Sequence, residues 1–158
     1  MFRLAGIAAV SCLIGTMVGC ANSPDAGSST EASSAVWTES YEGARARAQA
    51  EKKLILADFT GSDWCHYCVQ LRREVLDTRD FQKWADSRLV LLEVDYPRKK
   101  QAQETIAQNE RLKENFNVDG YPTVLIINPD GKELGRVVGY DGAKEWSDAV
   151  RKLVESAK

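Results

Sequence analysis

Three short apolar runs constrain the fold of this chain most: LILADF at 54–59, LVLLEVD at 89–95 and TVLII at 123–127. Each is nearly continuous rather than spaced at three and four, and each is too short for a buried helix. They read as strands covered on both faces. Such strands need helices on either side, and the intervening segments supply them. Residues 37–53 read as a helix rich in Ala and Arg, with Thr38 or Ser40 available as its cap. From Cys65 onward, Cys68, Leu71 and Val75 recur three and four apart and line one face, leaving Arg72, Arg73 and Glu74 mostly outside.

The same reading continues to the C-terminus. A short helix over 80–86 turns Phe81, Trp84 and Ala85 inward, with Asp80 as its cap. Residues 101–116 form a polar helix with a thin apolar stripe of Ile106, Leu112 and Phe116. NPDG at 128–131 is a turn signal, so 123–127 and a strand over 134–138 form an antiparallel hairpin. Trp146, Val150 and Leu153 mark a last amphipathic helix, with Asp141 near its start. The crossover from the first apolar run to the second, through the Cys65 helix, is expected to be right-handed and to make those strands parallel. The hairpin then makes the sheet mixed. The expected fold class is α/β, a mixed central sheet with helices on both faces.

The first twenty residues differ in kind. Arg3 precedes an uncharged apolar stretch over 4–18, the form of a secretory signal and too short for a confident membrane span. The closing MVGC resembles the lipobox of bacterial lipoproteins, with Met17 where leucine is usual. That resemblance implies a signal peptide over 1–19 and a lipid on Cys20. Lipid chains contribute ~0.8 kcal/mol per buried CH₂, and several hold firmly. An ordinary signal or an uncleaved anchor is the alternative. Residues 21–35 are Ser, Ala, Gly, Pro and acids with nothing apolar larger than alanine, so they read with Cys20 as a flexible lipidated tether over 20–35. The globular domain is expected over 36–158. Formal net charge is −2 with both signs mixed and no long basic run, which argues against nucleic acid as a partner.

Of four cysteines, Cys12 falls in the signal and Cys20 at the lipid site, leaving Cys65 and Cys68 as thiols in an exported domain. Their context is GSDWCHYCVQL. Structural zinc wants four ligands, and the only nearby soft ligands are Cys65, Cys68 and His66. A static staple closing so short a loop gains little. A redox pair fits better. Thiolate is the nucleophile in disulfide exchange, and a cysteine opening a helix is favoured as an anion by unpaired backbone N–H groups. Cys65 is therefore expected to be the exposed nucleophile, and Cys68, one turn on, the buried resolving thiol.

The motifs ADFTGSDWCHYC and VDGYPTVLIINPDGKELGRVVGY, with the order of elements between them, resemble the thioredoxin superfamily. The likeness is greatest to exported bacterial thioredoxin-like thiol–disulfide interchange proteins, and it spans roughly 37–158. It implies the thioredoxin fold and a protein thiol–disulfide oxidoreductase, with reduction favoured over oxidation or isomerisation. A non-catalytic binding module on the same fold is the other reading. Pro122 resembles the cis-proline that faces the active cysteines, leaving the Tyr121 backbone to pair with substrate; a trans proline starting a strand is the alternative. Asp58 resembles the buried acid behind the second cysteine. One extra residue separates it from Trp64, which leaves Asp63 as the alternative. Trp64 is expected to pack over the site. Of the dipeptide His66-Tyr67, His66 either supports the Cys65 thiolate or points to solvent. No cofactor or metal is implied, because two sulfurs hold the electrons. The implied partners are protein thiols and disulfides and a membrane electron donor. The implied location is the cell envelope, facing the periplasm on a lipid anchor. A monomer is expected.

Overall fold

The computed structural model describes residues 36–157. The segments 1–19 and 20–35, Cys20 among them, and Lys158 lie outside the described residues. The elements in order are β1 (Trp37–Thr38), α1 (Tyr41–Glu51), β2 (Leu54–Thr60) and α2 (His66–Leu71), which runs on as a π turn over Arg72–Leu76. Then come α3 (Arg79–Asp86), β3 (Leu89–Asp95), α4 (Gln103–Asn115), β4 (Thr123–Ile127), β5 (Glu133–Val138) and α5 (Ala143–Ser156).

Among the described residues these strands form one sheet in the order β1-β3-β2-β4-β5. β3 is parallel to both β1 and β2, while β4 is antiparallel to β2 and β5 to β4. The sheet is mixed, with the thioredoxin fold's order of elements. Successive residues of a strand point to opposite faces, which divides the core in two. Leu56, Leu91, Val124 and Ile126 pack with Leu71, Leu76, Phe81, Trp146 and Val150 beneath α2, α3 and α5. Ile55, Phe59, Val90, Leu92 and Leu125 pack with Ala44, Ala48 and Leu112 of α1 and α4. Both faces are covered, which is why the three runs carry no polar alternation.

Several expectations are corrected. Trp37 and Thr38 are not helical: they pair with Leu91 and Leu92 on the open edge of β3, and that tertiary ladder outweighs local propensity. The helix starts after Ser40, whose Oγ accepts from Gly43 N at 3.1 Å. Thr78, not Asp80, caps α3, accepting from Phe81 N at 3.3 Å. In α4 the position expected to carry apolar Ile106 inward is 38% exposed, while Asn109 is buried. Asn109 can sit there because its Nδ2 donates to the Asp95 carbonyl at 2.9 Å. Asp141 lies near the start of α5 as expected, and the cap that follows it is Gly142 with φ 140°, a backbone region that favours glycine. Val154 rather than Leu153 completes the buried stripe of α5, Leu153 being half-buried. Arg72 is half-buried rather than outside.

Candidate functional site

The C-terminal ends of β2 and β3 are parallel, so the loops that leave them lie side by side. The loop after β2 is stitched to β3 and its following loop at several points. Ser62 N and Oγ donate to the Asp95 carboxylate at 2.9 and 2.6 Å, and Tyr96 N donates to Thr60 O at 2.9 Å. Asp63 accepts from Arg98 N at 3.0 Å and Lys99 N at 3.3 Å. Trp64 Nε1 donates to Tyr96 O at 2.7 Å. Gly61 is required here, because a Cβ on it would lie 2.4 Å from the Trp64 ring. Gly61 O then accepts from Cys65 N at 2.9 Å, which delivers the cysteine to the head of α2.

Cys65 is the N-cap of α2, and its Sγ accepts from Cys68 N at 3.2 Å. The two sulfurs are joined as a disulfide with Sγ–Sγ 2.12 Å and Cα–Cα 5.2 Å. Cys65 is 7% exposed and Cys68 3%. Cys65 is the less covered of the pair, yet in this disulfide form it is largely buried rather than the exposed group expected from the sequence. The surface around it is open: Tyr67 is 57% exposed and Trp64 40%. His66 is exposed, lies edge-on to Tyr67 at 5.6 Å, and makes no hydrogen bond to Cys65 among the described residues.

The Tyr121–Pro122 peptide bond is cis, with Pro122 buried at the head of β4. Tyr121 packs edge-on to Trp64 at 5.7 Å and tilts against Tyr96 at 5.1 Å. Lys113 Nζ lies 5.6 and 5.7 Å from the Tyr96 and Tyr121 rings. Trp64, Tyr121 and Tyr96 thus form one aromatic cluster, with Trp64 next in sequence to Cys65 and Tyr121 next to Pro122.

The two candidate acids differ sharply. Asp58 is buried in β2, opposite Glu93 of β3 and Val124 of β4. Its Oδ1 has no hydrogen-bond partner among the described residues. Burial pushes its carboxyl up from 3.8 to about 7; Arg72 opposes that shift, and Glu93 and Asp95 add to it. Asp63 is exposed, and the backbone N–H groups of Arg98 and Lys99 hold its carboxyl below the usual range. Asp63 is a loop staple, and Asp58 has the surroundings of a proton carrier. Sequence reasoning missed Arg72, Glu93 and Tyr96. One signal was available: Glu93 is a lone charge inside an otherwise apolar run.

A disulfide at the head of a helix, a buried acid that titrates near neutrality and an open apolar rim can together exchange disulfides with another chain. The family of thioredoxin-like domains matches residues 41–153. The disulfide bond reductase DsbH of Chlamydia pneumoniae is 34% identical over 144 residues, covering 86% of each chain. The thioredoxin-related protein DsbJ of the same organism is 28% identical over 135 residues, which is 84% of this chain but 39% of DsbJ. A solved structure of a DsbH oxidoreductase superposes with a TM-score of 0.71 at 30% identity, over 78% of this chain and 86% of the other.

Proposed function

The chain belongs to the family of thioredoxin-like domains and is a thiol–disulfide oxidoreductase, and from that premise we propose that it works as a reductase of protein disulfides in the bacterial cell envelope. The observation that carries the reading is the Cys65–Cys68 pair closed across one helical turn at the rim of the molecule. In the reduced protein Cys65 thiolate attacks a substrate disulfide, and the first substrate sulfur leaves as a thiolate. Cys68 then attacks Cys65 Sγ, the electron pair goes to the second substrate sulfur, and the Cys65–Cys68 bond reforms. Asp58 takes the Cys68 proton in that closing step. The Tyr121 backbone beside Pro122 pairs with the extended substrate, and Trp64 is the wall it lies against. His66 and Tyr67 border the nucleophile.

The DsbH likeness supports the reductive direction. The N-terminal sequence supports the location: a signal over 1–19, a lipid on Cys20 and a tether over 20–35 would hold domain 36–158 at a bacterial membrane as a monomer, facing the periplasm. A membrane thiol donor would return electrons to the pair. Dithiothreitol-driven reduction of insulin tests the activity, which requires both Cys65 and Cys68. Thiol trapping in the cell tests the direction: a reductase is held mostly reduced, and a mostly oxidised pair would overturn this direction.

A further inference from the structure

Asp58 belongs to a charged cluster whose other members, Glu93, Asp95 and Arg72, have no part in the chemistry above. Leu56 of β2 packs on the face covered by α2, and Asp58 and Thr60 continue that face by alternation. Glu93 and Asp95 are their cross-strand neighbours on β3. Three carboxylates therefore crowd the C-terminal ends of two parallel strands. The guanidinium of Arg72 lies among them.

Arg72 is placed by the helix that carries the cysteines. Its backbone N–H donates to both Cys68 O and Val69 O, and the π turn begins at this residue, with Asp77 N donating to Arg72 O at 2.8 Å. Such widened turns recur at functional sites. Nη2 donates to the Glu93 carboxylate, Nη1 lies 3.7 Å from Asp77, and the guanidinium stacks 4.5 Å from the centre of the Trp37 ring. A cavity of about 320 Å³ opens on this side, with Thr60, Cys68, Arg72, Arg73 and Asp77 in its wall. Cys68 and Arg72 thus line the same cavity.

We propose that Arg72, by pairing with Glu93 beside the buried Asp58, is a positioning residue for the step in which Cys68 closes the disulfide. This rests on the oxidoreductase reading and on Asp58 as the acceptor of the Cys68 proton. In that step Cys68 loses a proton to the Asp58 carboxylate, forms its bond to Cys65, and the substrate thiolate leaves with the electron pair. The carboxylate must be ionised to accept. Burial, Glu93 and Asp95 all oppose ionisation of Asp58, and Arg72 favours it. Glu93 is itself pushed up by burial, with Arg72 pulling it down. The charged groups that act on Asp58 are Glu93 and Asp95 from β3 and Arg72 from the helix, and its partner on β4, Val124, is uncharged. One guanidinium therefore restrains two acids, and the edge strand β1 steadies it through Trp37.

The test follows decay of the Cys65–substrate mixed disulfide in single turnover, by acid quench and alkylation, across pH. The wild type is expected to close more slowly as pH falls through about 7. Arg72→Gln should move that acid limb upward by about one pH unit or more, giving roughly tenfold slower closure below it. Arg72→Lys, which keeps the charge, should return most of the shift. The double change Arg72→Gln with Glu93→Gln removes one charge of each sign, so it should restore the limb and also spare the fold an unpaired half-buried carboxylate. A limb unmoved in Arg72→Gln, in a protein whose urea midpoint shows it folded, overturns the role of Arg72, and so does an Arg72→Lys limb displaced as far as that of Arg72→Gln. So does a double variant whose limb stays displaced. Asp58→Asn separates the two readings. If it abolishes the limb while Arg72→Gln leaves it in place, only the arginine is wrong; if it leaves the limb intact, Asp58 is not the acceptor.

Discussion

Replacing Asp58 with Asn is expected to stabilise the oxidised protein at neutral and alkaline pH and to do so progressively less as the pH is lowered. Asp58 is fully buried, and its folded-state carboxyl sits at about 7 against an ordinary 3.8. Between those values the folded chain holds a proton that the unfolded chain has lost. Stability therefore falls as pH rises through that window, by ~1.36 kcal/mol per pH unit. Over the whole interval the loss is about 4 kcal/mol, a large share of the ~5–15 kcal/mol that holds a domain together. Asparagine has the shape of the neutral acid and cannot ionise, so the variant is spared that loss. Its side-chain amide adds a polar group whose partner is not assured, which shifts the curve by a constant ~1–3 kcal/mol and leaves its slope unchanged. The measurement is urea unfolding of both proteins, disulfide intact, from about pH 4 to about pH 8. The difference between them should widen with pH and level off above about 7. Two parallel stability curves would refute the reasoning, since Asp58 would then titrate alike in the folded and unfolded chains.

Gly61→Ala places a methyl 2.4 Å from the Trp64 ring, so the ring must move and its 2.7 Å bond to Tyr96 O must lengthen or break. The Trp64 indole N–H resonance should shift and disulfide exchange should slow; an unchanged resonance with full activity would remove Trp64 from the site's wall. Trp146→Ala, at a position 1% exposed, should cost about 3–5 kcal/mol in urea unfolding, whereas Ile106→Ala, at 38% exposure, should stay within about 0.5 kcal/mol. Equal costs at the two positions would contradict the observed face of α4.

Local pattern was enough for the strands over 89–95 and 123–127, whose bounds match the observed elements, and for the NPDG hairpin. These runs are buried on both sides, and the turn uses glycine at φ 90°, so each carries its signal in neighbouring residues. The cysteine pair was legible for the same reason, one helical turn being a local distance. What stayed hidden depends on groups far apart in sequence. Trp37 and Thr38 are strand only because β3 leaves an edge for them. Asn109 is buried and Ile106 exposed because the Asp95 carbonyl needs a donor at that point. Asp58 and Asp63 are equally acidic in the chain. Only the packing of β2 beneath the helix buries one and leaves the other to bind loop amides. Arg72, read as an outward residue of a regular helix, faces Glu93 once β3 lies alongside β2 and the helix widens at that turn. Periodicity records which side of its own element a residue occupies; which charges it then meets is decided by the elements that pack against it.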